Sequence, residues 1–374
     1  MNRSIKERGK QLLQKSVLPT IYKLNKGKKT DKRLIVFADA HHDHLPAPMQ
    51  PLFEMLRLKG YNVKLYCYDT ARMNSAEQLR HATGFMKLYA SCGAVVICDN
   101  FLPAAACEKK QDTKVVQLWH ACGALKRFGY DAEDDIPAWY TEHVYKNYDL
   151  VTVSGPGCVL PFTGAMRLTS GVVQPVGVSA TDKLFDQNFL AAARDKFRYF
   201  HPDARGKKVV VWAPSFRGPA GEMRNNPITP EMGAEAVHRL SQRGDYYVIE
   251  SLHPHALSRT PDLSTEELLV SADALITDYS SVCFSAMLLK RPVVYYAPDL
   301  AAYEQSRGFY TDYRSLPGVH ANPGALDAAV EEAVRAGETV YDTEAAGRFA
   351  ESYLAGCDGH ATDRIAKIME DWLS

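Results

Sequence analysis

The sequence predicts an α/β protein built from two Rossmann-like, doubly wound domains, preceded by a basic amphipathic segment. Three observations carry that prediction. Short apolar runs alternate with longer amphipathic ones from residue 33 onward, the grammar of a parallel sheet covered by helices. The same rhythm starts afresh after a boundary near 178–186. The chain has 374 residues, 46% hydrophobic and 24% charged, which is material for two cores of ordinary size. The expected division is 1–30 for the basic segment, 31–178 for an N-terminal domain and 179–374 for a C-terminal domain, the last helix being free to pack back on the first domain.

Residues 1–33 carry eleven Lys and Arg against Glu7 and Asp31, although the formal net charge of the whole chain is zero. Ile5, Leu12, Leu13, Val17, Leu18, Ile21 and Leu24 recur at near-helical spacing, and Pro19, which has no N–H, should split the segment into two short helices. A basic amphipathic segment suits the anionic inner face of a membrane; it equally suits a solvated terminus. No run of about eighteen apolar residues occurs, so no spanning helix is expected. The segment also lacks the apolar stretch and small-residue cleavage site of a signal peptide.

Arg33–Ala40 reads as a buried strand, 48–59 as a helix stopped by Gly60, and Asn62–Tyr68 as a second strand. Ser75–Ser91 is helical. Ala94–Cys98, Val115–Trp119, Leu150–Ser154 and Gln174–Val178 supply the remaining strands of the first half. In the second half, Lys208–Ala213, Tyr246–Leu252, Ala274–Thr277 and Pro292–Tyr296 read as strands. Met232–Gln242, Thr265–Ser271, Val282–Lys290, Ala325–Ala336, Glu344–Tyr353 and Ala361–Leu373 read as helices.

Ligands of such sheets sit beyond the carboxyl ends of the strands. Those ends are Ala40-His-His-Asp-His44, Trp119-His-Ala-Cys-Gly123, Pro214-Ser-Phe-Arg217, Leu252-His-Pro-His255 and Asp278-Tyr-Ser-Ser281, a clustering of imidazole, guanidinium and hydroxyl groups that packing alone does not explain. His120, beside small residues, has the chemistry of a proton acceptor near neutral pH; the alternative is a structural His bonded to a loop carbonyl. His253, followed by Pro254, could donate to a phosphate oxygen or act as an acid. Arg217 could grip phosphate bidentately or make a surface ion pair. Ser280 and Ser281 stand where a strand turns into a helix, so they are either phosphate ligands at a helix start or ordinary caps. His41, His42, Asp43 and His44 resemble a metal cluster, but neighbours on an extended segment point to opposite sides, and contact with an acceptor is the better reading.

Other classes are disfavoured. The phosphate loop Gly-x-x-x-x-Gly-Lys-Ser, the dinucleotide fingerprint Gly-x-Gly-x-x-Gly and the nucleophile elbow Gly-x-Ser-x-Gly are all missing. Balanced charge argues against a nucleic-acid partner. The eight cysteines form no Cys-x-x-Cys pair, so neither a zinc site nor a redox dithiol is signalled, and a reducing, cytoplasmic setting fits.

Taken together, Gln117-Leu-Trp-His120, Trp212-Ala-Pro-Ser-Phe-Arg217, Leu252-His-Pro254, Ala272-Asp-Ala-Leu-Ile-Thr-Asp-Tyr-Ser-Ser281 and Arg307-Gly-Phe-Tyr-Thr-Asp-Tyr313 resemble the CDP-glycerol glycerophosphotransferases of wall teichoic acid synthesis. Some segments depart from that family's pattern. Trp119-His-Ala-Cys-Gly-Ala-Leu-Lys126 is one residue longer than its usual Trp-His-Gly-Thr-Pro-Leu-Lys, Gly177-Val-Ser-Ala-Thr-Asp182 lacks its Pro and Arg, and Ser285 stands where an Asp is common.

The resemblance implies a two-domain glycosyltransferase-B fold. It makes His120 the catalytic base, places His253, Arg217, Ser280 and Ser281 on the diphosphate of CDP-glycerol, and sets Asp278 and the 307–313 loop on the nucleotide side. His253 is counted as catalytic with His120, and Lys126, Ser215 and Thr277 complete the substrate-binding set. The implied reaction moves glycerol phosphate to a hydroxyl of a polyprenyl-diphosphate-linked saccharide and releases CMP; the compact length, with one catalytic unit and little beyond it, favours the priming step. The reaction needs no resident cofactor or metal cluster, while remaining compatible with magnesium beside the diphosphate, and it runs at the cytoplasmic face of the cell membrane, with the enzyme peripheral. A chain-extending polymerase and a user of CDP-ribitol share the same donor requirements, as a sugar transferase shares the fold. A silent membrane-bound nucleotide-binding scaffold is the reading of another class, which the two histidines oppose. The enzymatic reading expects the His120 and His253 imidazoles to face each other across the groove between the domains.

Overall fold

The computed structural model describes residues 3–133, 135–215, 233–252, 261–322 and 324–374. The chain opens with α1 (Arg3–Leu12), one π turn over Leu13–Val17, and α2 (Leu18–Asn25). The expected break therefore falls just ahead of Pro19, which occupies the first turn of α2. A proline ring crowds the carbonyl four residues back, and a widened turn relieves that crowding. Leu18 and Tyr22 are 1% and 2% exposed, inside the first core. Gln14 Nε2 donates to the Leu102 carbonyl at 2.8 Å. Much of the apolar side of this segment is thus committed to the protein, while Leu12, Leu24 and the Lys23, Lys26, Lys28 and Lys29 side chains stay exposed.

The first sheet holds β1 (Asp31–Asp39), β2 (Asn62–Cys67), β3 (Cys92–Ile97), β4 (Lys114–Gln117), β5 (Leu150–Thr152) and β6 (Val173–Gln174) in the order β2-β1-β3-β4-β5-β6. All its pairings are parallel. Its helices are α3 (Gln50–Leu58), α4 (Ser75–Tyr89) and α5 (Val159–Met166). A short 3-10 stretch, Ser179–Phe185, leads to α6 (Gln187–Phe200). The second sheet holds β7 (Lys208–Ala213), β8 (Tyr246–Glu250), β9 (Ala274–Thr277), β10 (Val293–Tyr295) and β11 (Val319–His320), ordered β11-β10-β9-β7-β8 and again parallel. With it go α7 (Ala234–Ser241), α8 (Thr265–Ser271), α9 (Val282–Leu288), α10 (Leu300–Ser306), α11 (Leu326–Ala336), α12 (Glu344–Tyr353) and α13 (Ala361–Leu373). The predicted α/β class with two parallel sheets is therefore the architecture observed.

Several expected elements are shorter, each for a local reason. The strand expected over Val115–Trp119 ends at Gln117 because Trp119 turns left-handed, at φ +57. That expected over Gln174–Val178 stops before Pro175, which cannot donate to a ladder. The helix expected over Val282–Lys290 ends at Leu288, since Lys290 sits at φ +58. The helices α5, α6 and α10 have no counterpart in the sequence reading. Pro161 and Gly164 weaken the helical signal of α5.

Helix α13 crosses back to the first sheet. Ile365, Ala366 and Met369 are at most 1% exposed in the first core, and Lys59 Nζ lies 3.0 Å from Glu370 Oε1. Asp182, in the linker, accepts the N–H of Ala361 at 3.0 Å and of Thr362 at 2.7 Å. A carboxylate at a helix start answers both the free donors and the dipole. Arg364 Nε donates to the Val176 carbonyl at 2.9 Å, so helix and linker grip each other.

Candidate functional site

Among its described residues, the stretch between β4 and β5 carries one short 3-10 turn, Gly129–Asp131, where a parallel crossover commonly carries an α-helix. It begins with a tight turn that Gln117 organises. Its Oε1 accepts the Trp119 N–H at 2.9 Å, and its Nε2 donates to the Asp99 carbonyl at 3.0 Å. A bulky residue at positive φ costs on the order of 1–3 kcal/mol. Packing of the Trp119 indole against Phe128 and Phe162, at centroid distances of 5.0 and 5.1 Å, offsets that cost.

The turn swings His120 outward. Its ring is exposed and stacked on Trp119 at 4.8 Å, and Nδ1 lies 3.2 Å from the Cys98 carbonyl oxygen. A carbonyl can only accept, so Nδ1 is the donor in this bond and Nε2 takes no part in it.

On the second sheet, Asp278 is 2% exposed and ties two strand ends together. Its Oδ1 accepts the N–H of Ser215, just beyond β7, at 2.7 Å, and that of Tyr279 at 2.6 Å. Thr277 Oγ1 donates to the Ala213 carbonyl at 2.6 Å and is buried. Thr277, Asp278 and Ser215 thus form the frame beneath the turn. Ser280 and Ser281 are half-buried above it, at the start of α9. Ser280 Oγ accepts the Val282 N–H at 3.4 Å, and Ser281 makes no side-chain capping bond. Tyr279 points inward, stacked on Tyr303 at 3.8 Å, with its hydroxyl 2.8 Å from Asp299 Oδ1.

The two strand ends meet at Gly123. Its φ is +73, and a Cβ there would stand 2.1 Å from the Phe284 ring. Gly123 lies three residues after His120, and Phe284 three after Ser281. Chain geometry therefore puts His120 on the order of 10–20 Å from the start of α9.

A second bridge lies below it. Lys126 pairs antiparallel with Phe309, Arg127 N–H donates to the Gly308 carbonyl at 3.1 Å, and Tyr310 N–H to the Leu125 carbonyl at 2.9 Å. Arg307 donates to Asp135 Oδ2 and to the Arg127 carbonyl, each at 2.8 Å, and the Tyr310 hydroxyl to Asp131 at 2.7 Å. The 307–313 segment, expected on the nucleotide side, spans the two halves of the molecule.

The structure thus brings His120, Lys126, Ser280 and Ser281 to one region, with Asp278, Thr277 and Ser215 beneath. Arg217, His253 and His255 lie outside the described residues, and so does the facing pair of imidazoles expected from the sequence.

Three features escape a reading of the sequence. Asp135 meets Arg307 across 172 positions, with no local signal. The role of Asp182 depends on a helix that returns from the far end of the chain. Asp39 and His42 form a third unit at the end of β1. Burial works to raise the Asp39 carboxyl, but hydrogen bonds from His42 and from the His41 N–H outweigh it and hold the acid below its usual range. The same bond to Asp39 raises His42, against partial burial.

Among the described residues, no group of three or more His, Cys, Asp or Glu is placed to hold a metal ion. The cysteines are free thiols. Cys122 and Cys357 are buried with their sulfurs 3.5 Å apart, and Cys357 together with burial pushes the Cys122 thiol well up.

In class, this is a two-sheet α/β protein that collects its polar groups at the carboxyl ends of its strands. A family model described as CDP-Glycerol:Poly(glycerophosphate) glycerophosphotransferase matches residues 20–371, and the chain belongs to that family. It is 30% identical over 364 residues to the teichoic acid ribitol-phosphate primase of Bacillus spizizenii, covering 91% of each chain. To the teichoic acid glycerol-phosphate primase of Bacillus subtilis it is 27% identical over 299 residues, 75% of this chain and 74% of that one. The solved structure of the wall teichoic acid polymerase TagF superposes with a TM-score of 0.71 at 18% identity, covering 99% of this chain and 97% of the other. The teichoic acid family expected from the strand-end motifs is thereby the family found.

Proposed function

We propose that this chain primes teichoic acid synthesis: it transfers glycerol phosphate from CDP-glycerol to a hydroxyl of a polyprenyl-diphosphate-linked saccharide and releases CMP. The observation that carries the reading is His120, exposed and fixed through Nδ1, three residues before the Gly123 turn that packs on Phe284 of α9. Nε2 takes the proton as the acceptor oxygen attacks the glycerol-bearing phosphorus. The bond from that phosphorus to the bridging oxygen breaks, and CMP leaves with the electron pair. Ser280, Ser281 and Lys126 stand where they can meet that charge, with Arg217 and His253 assigned to the same task and Asp278, Thr277 and Ser215 holding the turn. No metal is built into this scheme. The two parallel sheets are read as a glycosyltransferase-B architecture.

Ribitol phosphate from CDP-ribitol is the second reading, favoured by the likeness to a ribitol-phosphate primase over 91% of both chains. Purified protein is to be given a lipid-linked disaccharide and each CDP-polyol in turn. CMP release with CDP-glycerol and a product one unit longer is the expected result. Release with CDP-ribitol alone selects the second reading, a ladder of products selects a polymerase, and no release with either removes the transferase reading.

The N-terminal segment supports a peripheral place on an anionic membrane. No described helix is long and apolar enough to cross one. Reversing the charge of Lys23, Lys26, Lys28 and Lys29 leaves the buried Leu18 and Tyr22 in place, and should weaken sedimentation with anionic liposomes. The loss should shrink as salt rises, because surface attraction is screened beyond about 10 Å at 0.1 M. Equal sedimentation of variant and parent at low salt would remove the membrane reading.

A further inference from the structure

The end of β1 carries a device that the transfer chemistry just described leaves unused. Asp39 is 2% exposed, and a single oxygen, Oδ2, accepts three donors: the N–H of His41 at 2.8 Å, the N–H of His42 at 2.7 Å and His42 Nδ1 at 2.9 Å. The chain is wrapped around one carboxylate so as to aim one imidazole. With Nδ1 donating to Asp39, His42 presents Nε2 from a side chain that is 39% exposed.

His120 is anchored in the same way at the end of β4, on the Cys98 carbonyl. The sheet order puts only β3 between β1 and β4, and the registers Phe37 opposite Val96 and Ile97 opposite Gln117 bring these ends nearly level. Two strand spacings separate them, about 10 Å. Two imidazoles, each fixed through Nδ1, thus flank a ledge whose middle is the Cys98–Asp99 end of β3.

The charge of the ledge limits what it can hold. Asp39 hydrogen-bonds His42, and Asp69 and Asp99 lie near enough to act on it electrostatically. Arg72, beside these carboxylates, is engaged by Asp69 at 3.0 Å and Asp43 at 3.4 Å, and Asp43 also holds His44 at 2.9 Å. An anionic diphosphate would be repelled here, whereas an uncharged, hydroxyl-rich group finds acceptors in the carboxylates and a directed partner in His42.

We infer that His42, aimed by Asp39, hydrogen-bonds the saccharide of the acceptor and positions its hydroxyl toward His120. This rests on the transferase reading above and names the residue that holds the second substrate. The role is positioning, not proton transfer at the reacting atoms.

The test separates the two ends of the imidazole. His42→Asn keeps a donor near Nδ1 for Asp39 and removes the group at Nε2, while His42→Gln reaches the Nε2 position. With a short-prenyl diphosphate-linked disaccharide and the CDP-polyol that the parent enzyme uses, His42→Asn should raise the acceptor KM by about three- to tenfold, the weight of one lost hydrogen bond. His42→Gln should recover part of that loss. Donor KM and the slow release of CMP to water without acceptor should match the parent in both, which also reports intact folding. An unchanged acceptor KM in His42→Asn, or equal loss of donor hydrolysis in both variants, overturns the assignment while leaving the transferase reading standing. A parent enzyme that releases no CMP with any CDP-polyol overturns both.

Discussion

Replacing His120 with Ala should lower turnover by about 10²–10⁴-fold, the usual contribution of a positioned base, and leave donor binding largely intact. The ring is exposed, so its removal opens no cavity in the core. Its polar anchor is a backbone carbonyl, Cys98 O. The left-handed Trp119 keeps its own supports, the Gln117 side chain and the Phe128 and Phe162 rings, so the turn should persist without the imidazole. Initial rates of CMP release and a calorimetric titration with the CDP-polyol read the two effects separately. Turnover that survives the change would show that another group takes the proton. Loss of donor affinity in step with rate would make His120 a donor ligand instead.

Gly177→Ala should be the costliest small substitution in the linker. At φ +95, a Cβ would stand 2.0 Å from the Gly356 carbonyl oxygen and 2.7 Å from the Ala361 Cβ. The obstructing oxygen is backbone, and it belongs to the turn that delivers α13 to Asp182, so it cannot swing aside as a flexible side chain could. Overpacking of about 1–3 kcal/mol and a left-handed penalty of about 1–2 kcal/mol add to roughly 2–5 kcal/mol. That is a large fraction of the 5–15 kcal/mol or so that holds an ordinary domain folded. Thermal unfolding and limited proteolysis should show an earlier transition and release of the α13 end. Gly347→Ala is the control, since it lies within α12 with nothing inside 4 Å of its Cβ and should be neutral or slightly stabilising. A Gly177→Ala protein as stable as the control would mean that the linker does not approach the 356–361 turn as described.

The strand-end rule makes much of the site legible in the sequence alone. Apolar runs such as Lys208–Ala213 and Ala274–Thr277 are readable to the residue, because a buried parallel strand is a continuous hydrophobic signal. With those ends placed, His120 and the Ser280-Ser281 turn follow. What stays hidden depends on contacts between distant parts of the chain. Asp278 reads as part of a strand-end turn on the nucleotide side, and nothing near it in sequence says that it is interior and holds Ser215 from another strand. Nothing near Arg307 in sequence announces Asp135, and nothing near Asp182 announces residues 361–362. Asp39 is legible only as the end of a strand. The coupling that turns it and His42 into a unit follows from the tight turn after β1. The amphipathic pattern of residues 1–25 is visible, but a pattern does not say which surface it meets, and Leu18 and Tyr22 meet the protein's own core.

The return of α13 has a consequence for biosynthesis. The first sheet is translated early, but Ile365, Ala366 and Met369, which close its core, are translated after the whole second sheet. While the chain is still on the ribosome, the early half exposes the apolar face that this helix covers. The later half can therefore fold before the earlier one is finished, and the incomplete half is the part that a trigger-type chaperone would be expected to shield.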